Sequence, residues 1–118
     1  MLKGIYQFVE VDGSKPIKEF FDSLTEIGQA RIYAYINELM KQGYNLRRPM
    51  DDYLGDGIYE LRPRDNRIFY FFYLRDRVVL VHAIKKHVKK IPERDLKLCI
   101  ARKIKIEASR TNIERIEL

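Results

Sequence analysis

Three runs rich in β-branched and aromatic residues follow one another with almost nothing between them: Ile58–Arg62, Arg67–Leu74 and Arg77–Ile84. Pro63-Arg64-Asp65-Asn66 separates the first two, and Arg75-Asp76 the last two. A parallel crossover needs a dozen or more residues, so links this short allow only antiparallel hairpins. A three-stranded meander is therefore the most constrained piece of the fold. Phe69, Phe71, Phe72 and Tyr73 inside it are expected in the core.

The remaining segments arrange themselves around that meander. Ile5–Val11 reads as a strand, followed by the turn signal Asp12-Gly13. Ser14 offers an N-cap, and Pro16 falls in a first helical turn, where a missing N–H costs little. Ile17, Phe20, Phe21 and Leu24 then recur at i, i+3, i+4 and i+7, the buried face of a short helix. Thr25 caps a second helix that carries Ile32, Ile36, Leu39 and Met40 inward and stops at Gly43. Tyr44–Gly57 reads as a surface loop, and a last helix begins near Pro92 with Leu96, Ile100 and Ile104 facing inward. Beyond Ser109 the pattern weakens, and fraying is expected there. The order is βααβββα in one domain, residues 1–118: an α+β fold with an antiparallel-dominated sheet. A two-helix hairpin should cover one face, leaving the other concave and partly wet.

The chain carries 23 Lys and Arg against 17 Asp and Glu, a net charge of +6, which favours polyanionic partners. Where the cations fall matters more than their number. In a meander, Arg62, Arg67, Lys85 and Lys86 all come to the same end of the sheet. His87, Lys89 and Lys90 extend the basic run, while Tyr59, Tyr70 and His82 stand at strand spacing. Such an edge reads as a phosphate-binding concavity with rings on which bases can stack. Arg64, Arg75 and Arg77 sit at turns and read as solvated. His82, His87 and Cys99 lack the spacing of a zinc site. Asp51, Asp52 and Asp56 read as solvated loop acids. No metal or other cofactor is expected. A lone cysteine excludes an internal disulfide framework and fits a reducing cytoplasm. No apolar run is long enough to span a membrane, and the N-terminus has no signal-like segment, so a cytoplasmic location is expected.

Three segments together resemble the signature of HigB-type toxins, the phage-derived Gp49-like branch of the RelE/ParE superfamily. They are Gly57-Ile58-Tyr59-Glu60-Leu61-Arg62, Arg67-Ile68-Phe69-Tyr70-Phe71-Phe72, and Val79-Leu80-Val81-His82-Ala83-Ile84-Lys85-Lys86. The resemblance implies a RelE-like fold and metal-independent mRNA cleavage in the ribosomal decoding site. It also implies a helix-turn-helix (HigA-like) antitoxin as partner. Arg62 corresponds to the arginine of the Glu-Leu-Arg strand, and Lys85-Lys86 to the basic pair closing the sheet. His87 stands where many members place Thr or another small polar residue. For such chemistry Arg62 and Arg67 would stabilise phosphorane charge. Lys85, Lys86 or His87 would move protons. The alternatives are a non-catalytic RNA- or ribosome-binding module, and a ParE-like toxin or other interaction partner that acts on a protein.

Overall fold

The meander forms the centre of a larger sheet in the computed structural model, which describes residues 1–85 and 90–117. Among these residues the sheet has six strands: β1 (Gly4–Phe8), β2 (Asp51–Gly55), β3 (Ile58–Leu61), β4 (Asn66–Tyr73), β5 (Arg77–Lys85) and β6 (Ile113–Arg115). Their spatial order is β2-β3-β4-β5-β1-β6, and every pairing is antiparallel except that of β1 with β5. The helices are α1 (Pro16–Asp22), α2 (Glu26–Gln42) and α3 (Glu93–Ser109). The fold is α+β, as expected, and consistent with a RelE-like arrangement. No described helix is long and apolar enough to cross a membrane.

Strand alternation divides the core into two layers. Ile5, Leu61, Ile68, Tyr70, Val78 and Leu80 face α1 and α2, packing with Ile17, Phe21, Ile32, Ile36 and Leu39. Phe8, Ile58, Phe69, Phe71, Tyr73, Val79 and Val81 face α3, packing with Ile91, Cys99 and Ile106. The expectation of a concave, partly wet second face is therefore corrected, because α3 covers it. Two-sided burial also explains why β4 reads Ile-Phe-Tyr-Phe-Phe-Tyr without polar alternation.

The way α3 docks corrects a second expectation. Cys99 and Ile106 are fully buried, whereas Ile104 is 59% exposed. Eight residues on from Leu96, Ile104 has rotated about 80° off the inward stripe. Arg102 completes the docking. Its Nη1 donates to the Val81 carbonyl at 2.7 Å, and its guanidinium lies 4.8 Å from the Phe8 ring centre. That carbonyl is available because β5 bulges: Phe69 pairs with His82 but Tyr70 pairs with Leu80, leaving Val81 as the extra residue.

Three further boundaries differ from expectation. The segment read as a loop contains β2, which pairs with β3 through a tight turn where Gly55, Asp56 and Gly57 all take positive φ. The tail expected to fray forms β6, with Ile113 opposite Phe8. Lys15, not Ser14, is the N-cap of α1. The Ser14 amide instead donates to Asp12 Oδ1 at 2.9 Å, closing a turn of the Asx kind.

Candidate nucleic-acid interface

The β3–β4 hairpin sets the geometry of the basic end of the sheet. Glu60 and Arg62 are two residues apart and so share one face of the chain, the face covered by α3. Arg67 meets them from β4, across the turn. Glu60 Oε1 lies 3.8 Å from Arg62 Nε and 3.9 Å from Arg67 Nε. Glu60 is buried, and the two arginines flank it.

The arginines are not equivalent. Arg67 is 8% exposed, and its Nη1 donates to the carbonyls of Arg64 and Asn66, each at 2.7 Å. It ties down the turn between β3 and β4. Burial, and then the neighbouring Arg62, hold its guanidinium below the usual arginine range, against the pull of Glu60. Arg62 keeps 30% of its side chain exposed and has the Glu60 carboxylate beside it. Arg62 is the cation of this pair that faces solvent.

Lys85 also reaches this end of the sheet, but it pairs with Asn66 and lies on the face of α1 and α2, opposite Arg62. Lys90 is exposed just before Ile91. Lys86, His87 and Lys89 lie outside the described residues.

The aromatic candidates are corrected more sharply. Tyr70 is fully buried, and its hydroxyl donates to Asp51 Oδ2 at 2.8 Å. Its phenol is held well above its ordinary pKa, first by burial and then by that hydrogen bond. Tyr59 stacks on Tyr70 with ring centres 5.4 Å apart, on the same face. Both rings belong to the layer under the helical hairpin, so neither stands beside Arg62 as a platform for bases. Asp51 is likewise buried, not solvated, and burial raises its carboxyl pKa. Asp52 keeps its charge through two hydrogen bonds from Arg48, at 3.1 and 2.7 Å, which hold it below the usual carboxylate range.

His82 faces α3, stacked on Phe69 at 5.6 Å, with Nε2 2.8 Å from Asp95 Oδ1. This arrangement anchors the first turn of α3 to the bulged strand. The ring is not free to meet a base, which corrects the expectation of His82 as an RNA contact. Burial lowers its pKa despite the Asp95 carboxylate. A histidine whose folded pKa is depressed stabilises the fold above its unfolded value of about 6.5, and that stability is lost as pH falls towards the folded pKa. The urea midpoint should therefore drop between pH 7.5 and 5.5, and His82→Gln should flatten that slope. An unchanged slope in the variant would assign the pH dependence to another group.

Sequence reasoning missed Glu60 and Asn66. The i, i+2 spacing of Glu60 and Arg62 was the available signal for the first, since it puts both on one strand face. Asn66 gave no signal beyond its place in the turn. Among the described residues no three His, Cys, Asp or Glu side chains gather to hold a metal. Cys99 is buried among apolar side chains, with its thiol pushed up to about 12, and is unsuited to nucleophilic work.

Comparison with known families adds one finding. The family described as Phage derived protein Gp49-like (DUF891) matches residues 19–104, from within α1 to within α3. The comparison with curated proteins returns no match. The matched stretch exceeds two thirds of the sequence and contains both arginines, Glu60 and the meander. This chain belongs to the Gp49-like family of phage-derived, toxin-like proteins.

Proposed function

We propose that this chain is the HigB-type toxin of a type II toxin–antitoxin pair, an endoribonuclease that cuts mRNA in the ribosomal decoding site. The observation that carries the reading is the family match across the meander. The solvent-facing Arg62 at the sheet end supports it. In the proposed reaction the ribose 2′-OH loses its proton and attacks the adjacent phosphorus. The P–O5′ bond then breaks, and the leaving oxygen takes up a proton. The products are a 2′,3′-cyclic phosphate and a 5′-hydroxyl. Arg62 meets the charge that develops on the phosphorane oxygens, because its planar fork stays charged and fits two oxygens at once. The proton carriers are assigned to the basic run Lys85-Lys86-His87. Lys85 itself lies on the opposite face from Arg62. A helix-turn-helix antitoxin is the proposed partner that keeps the toxin silent, and the cytoplasm its proposed location.

Induced expression in a bacterium tests this directly. Growth should arrest within one generation, new mRNA 5′ ends should appear, and those ends should carry 5′-hydroxyls that resist ligation until phosphorylated. Normal growth at verified soluble expression would remove the toxin reading. Arrest without new mRNA ends would favour a toxin acting on a protein, or an RNA-binding module that blocks without cutting.

A further inference from the structure

The opposite face of the same sheet end carries a second, separate constellation. A cleft of about 530 Å³ opens where α1 meets α2, lined by Thr25, Ile27, Arg31, Asp65, Asn66 and Lys85 among others. The N-terminus of the long helix α2 borders it. The Thr25 hydroxyl accepts from the Gly28 amide at 3.1 Å, but the amides of Glu26 and Ile27 have no acceptor in the described chain. Arg31 and Lys85 have no carboxylate partner among the described residues.

The second observation is Asn66. It is only 8% exposed, yet its side chain makes no hydrogen bond with any described residue, and its Oδ1 is fully buried without a partner. A buried carboxamide without partners forfeits the hydrogen bonds it made to water, so native chains keep few of them. Here it lines the same cleft as Arg31, Lys85 and the N-terminal residues of α2.

We propose that this cleft holds a sugar–phosphate unit of single-stranded RNA. The inference rests on the ribonuclease reading and extends it: the strand would pass over the rim of the sheet from Arg62 to Asn66. The lining selects that chemistry. Two cations and two free amides at a helix N-terminus suit a phosphodiester. The Asp65 carboxylate, and the Asn66 carboxamide once it turns its oxygen into the cleft, suit a ligand that also offers hydroxyl donors, which a ribose does through its 2′-OH. An acidic peptide satisfies the cations, but its carboxylates only accept and bring no hydroxyl donor to Asp65 or Asn66. Continuity supports the same occupant: Asn66 and Arg67 are adjacent in β4 and point to opposite faces, so a strand crossing the rim meets both sites.

The test is a titration of the full chain, followed by amide NMR, with an oligouridylate, its deoxy counterpart and a hexaglutamate peptide. RNA should shift the amides of Ile27, Gly28 and Asn66, and should bind more tightly than the deoxy strand. Arg31→Ala should reduce the slope of log affinity against log salt by about 0.7, the value for one phosphate contact on a single strand. Asn66→Leu, nearly isosteric but unable to hydrogen-bond, should abolish the preference for ribose. Should Asn66→Leu fail to fold, the Arg31→Ala salt slope still decides. If RNA leaves these amides unmoved while induced expression still cuts mRNA, the cleft proposal falls and the ribonuclease reading stands. Binding of hexaglutamate but not RNA would make the cleft a protein-docking site and overturn the proposal. Tight RNA binding at these amides without any mRNA cleavage would uphold the cleft and remove the ribonuclease reading.

Discussion

Replacing Tyr70 with alanine is expected to bring the chain to the edge of unfolding. The ring is fully buried in the centre of the sheet, between Tyr59 and Phe72 and under the helical hairpin. Truncating a buried aromatic residue to alanine costs about 3–5 kcal/mol. The buried Asp51 carboxylate also loses the hydroxyl that donates to it, which adds about 1–3 kcal/mol. Domains of this size hold about 5–15 kcal/mol in total, so the sum removes most of the margin. Tyr70→Phe separates the two contributions, because it keeps the ring and deletes only the donor. Burial holds the Asp51 pKa above its unfolded value, so this group favours the fold most fully below the unfolded pKa. That contribution disappears as pH rises through the folded pKa. Without the tyrosine donor the folded pKa climbs further, and the deficit of Tyr70→Phe should grow from about pH 4 to neutrality. Urea unfolding of both variants across that range is the measurement. A Tyr70→Ala protein as stable as the parent would show that this layer is not the core.

What the sequence disclosed, and what it hid, follows from where each residue's fate is decided. The meander and the α1–α2 hairpin were legible because connector length and apolar period are local properties. β2 and β6 were not, because Asp-Asp-Tyr-Leu-Gly and Ile-Glu-Arg have no strand pattern of their own. They are strands because β3 and β1 offer them an edge. Arg62 was legible as a cation at the sheet end, and its face followed from its spacing to Glu60. The same parity rule sets Tyr59 on the opposite face from Glu60 and Arg62, so that correction was readable in advance. His82 was not, since the Val81 bulge moves its side chain to the α3 layer. Nor was the engagement of Arg67, whose acceptors are backbone carbonyls of the turn, Arg64 and Asn66. No side-chain pattern announces a carbonyl.

That difference between the arginines yields the largest expected functional effect. Arg62→Ala should lower mRNA cleavage by about 10²–10³-fold, the loss seen when one preorganised donor to a developing oxyanion is removed. The fold should survive it. Arg62 is partly exposed, its distance to Glu60 is long at 3.8 Å, and Arg67 still flanks the carboxylate. Because the Glu60 carboxylate is buried, the loss should exceed the roughly 1 kcal/mol of an exposed pair, but with Arg67 still beside the carboxylate it should stay within the stability of the domain. Arg62→Lys should recover only part of the activity, because a lysine keeps the charge but cannot present two donors to two phosphoryl oxygens. Arg67→Ala should behave differently: it releases the Arg64 and Asn66 carbonyls, loosens the β3–β4 turn, and lowers the urea midpoint together with activity. The paired readout is single-turnover cleavage of ribosome-bound mRNA beside urea unfolding for each variant. Full cleavage by a folded Arg62→Ala protein would show that phosphorane charge is met elsewhere. An unfolded Arg62→Ala protein would make Arg62, like Arg67, part of the scaffold.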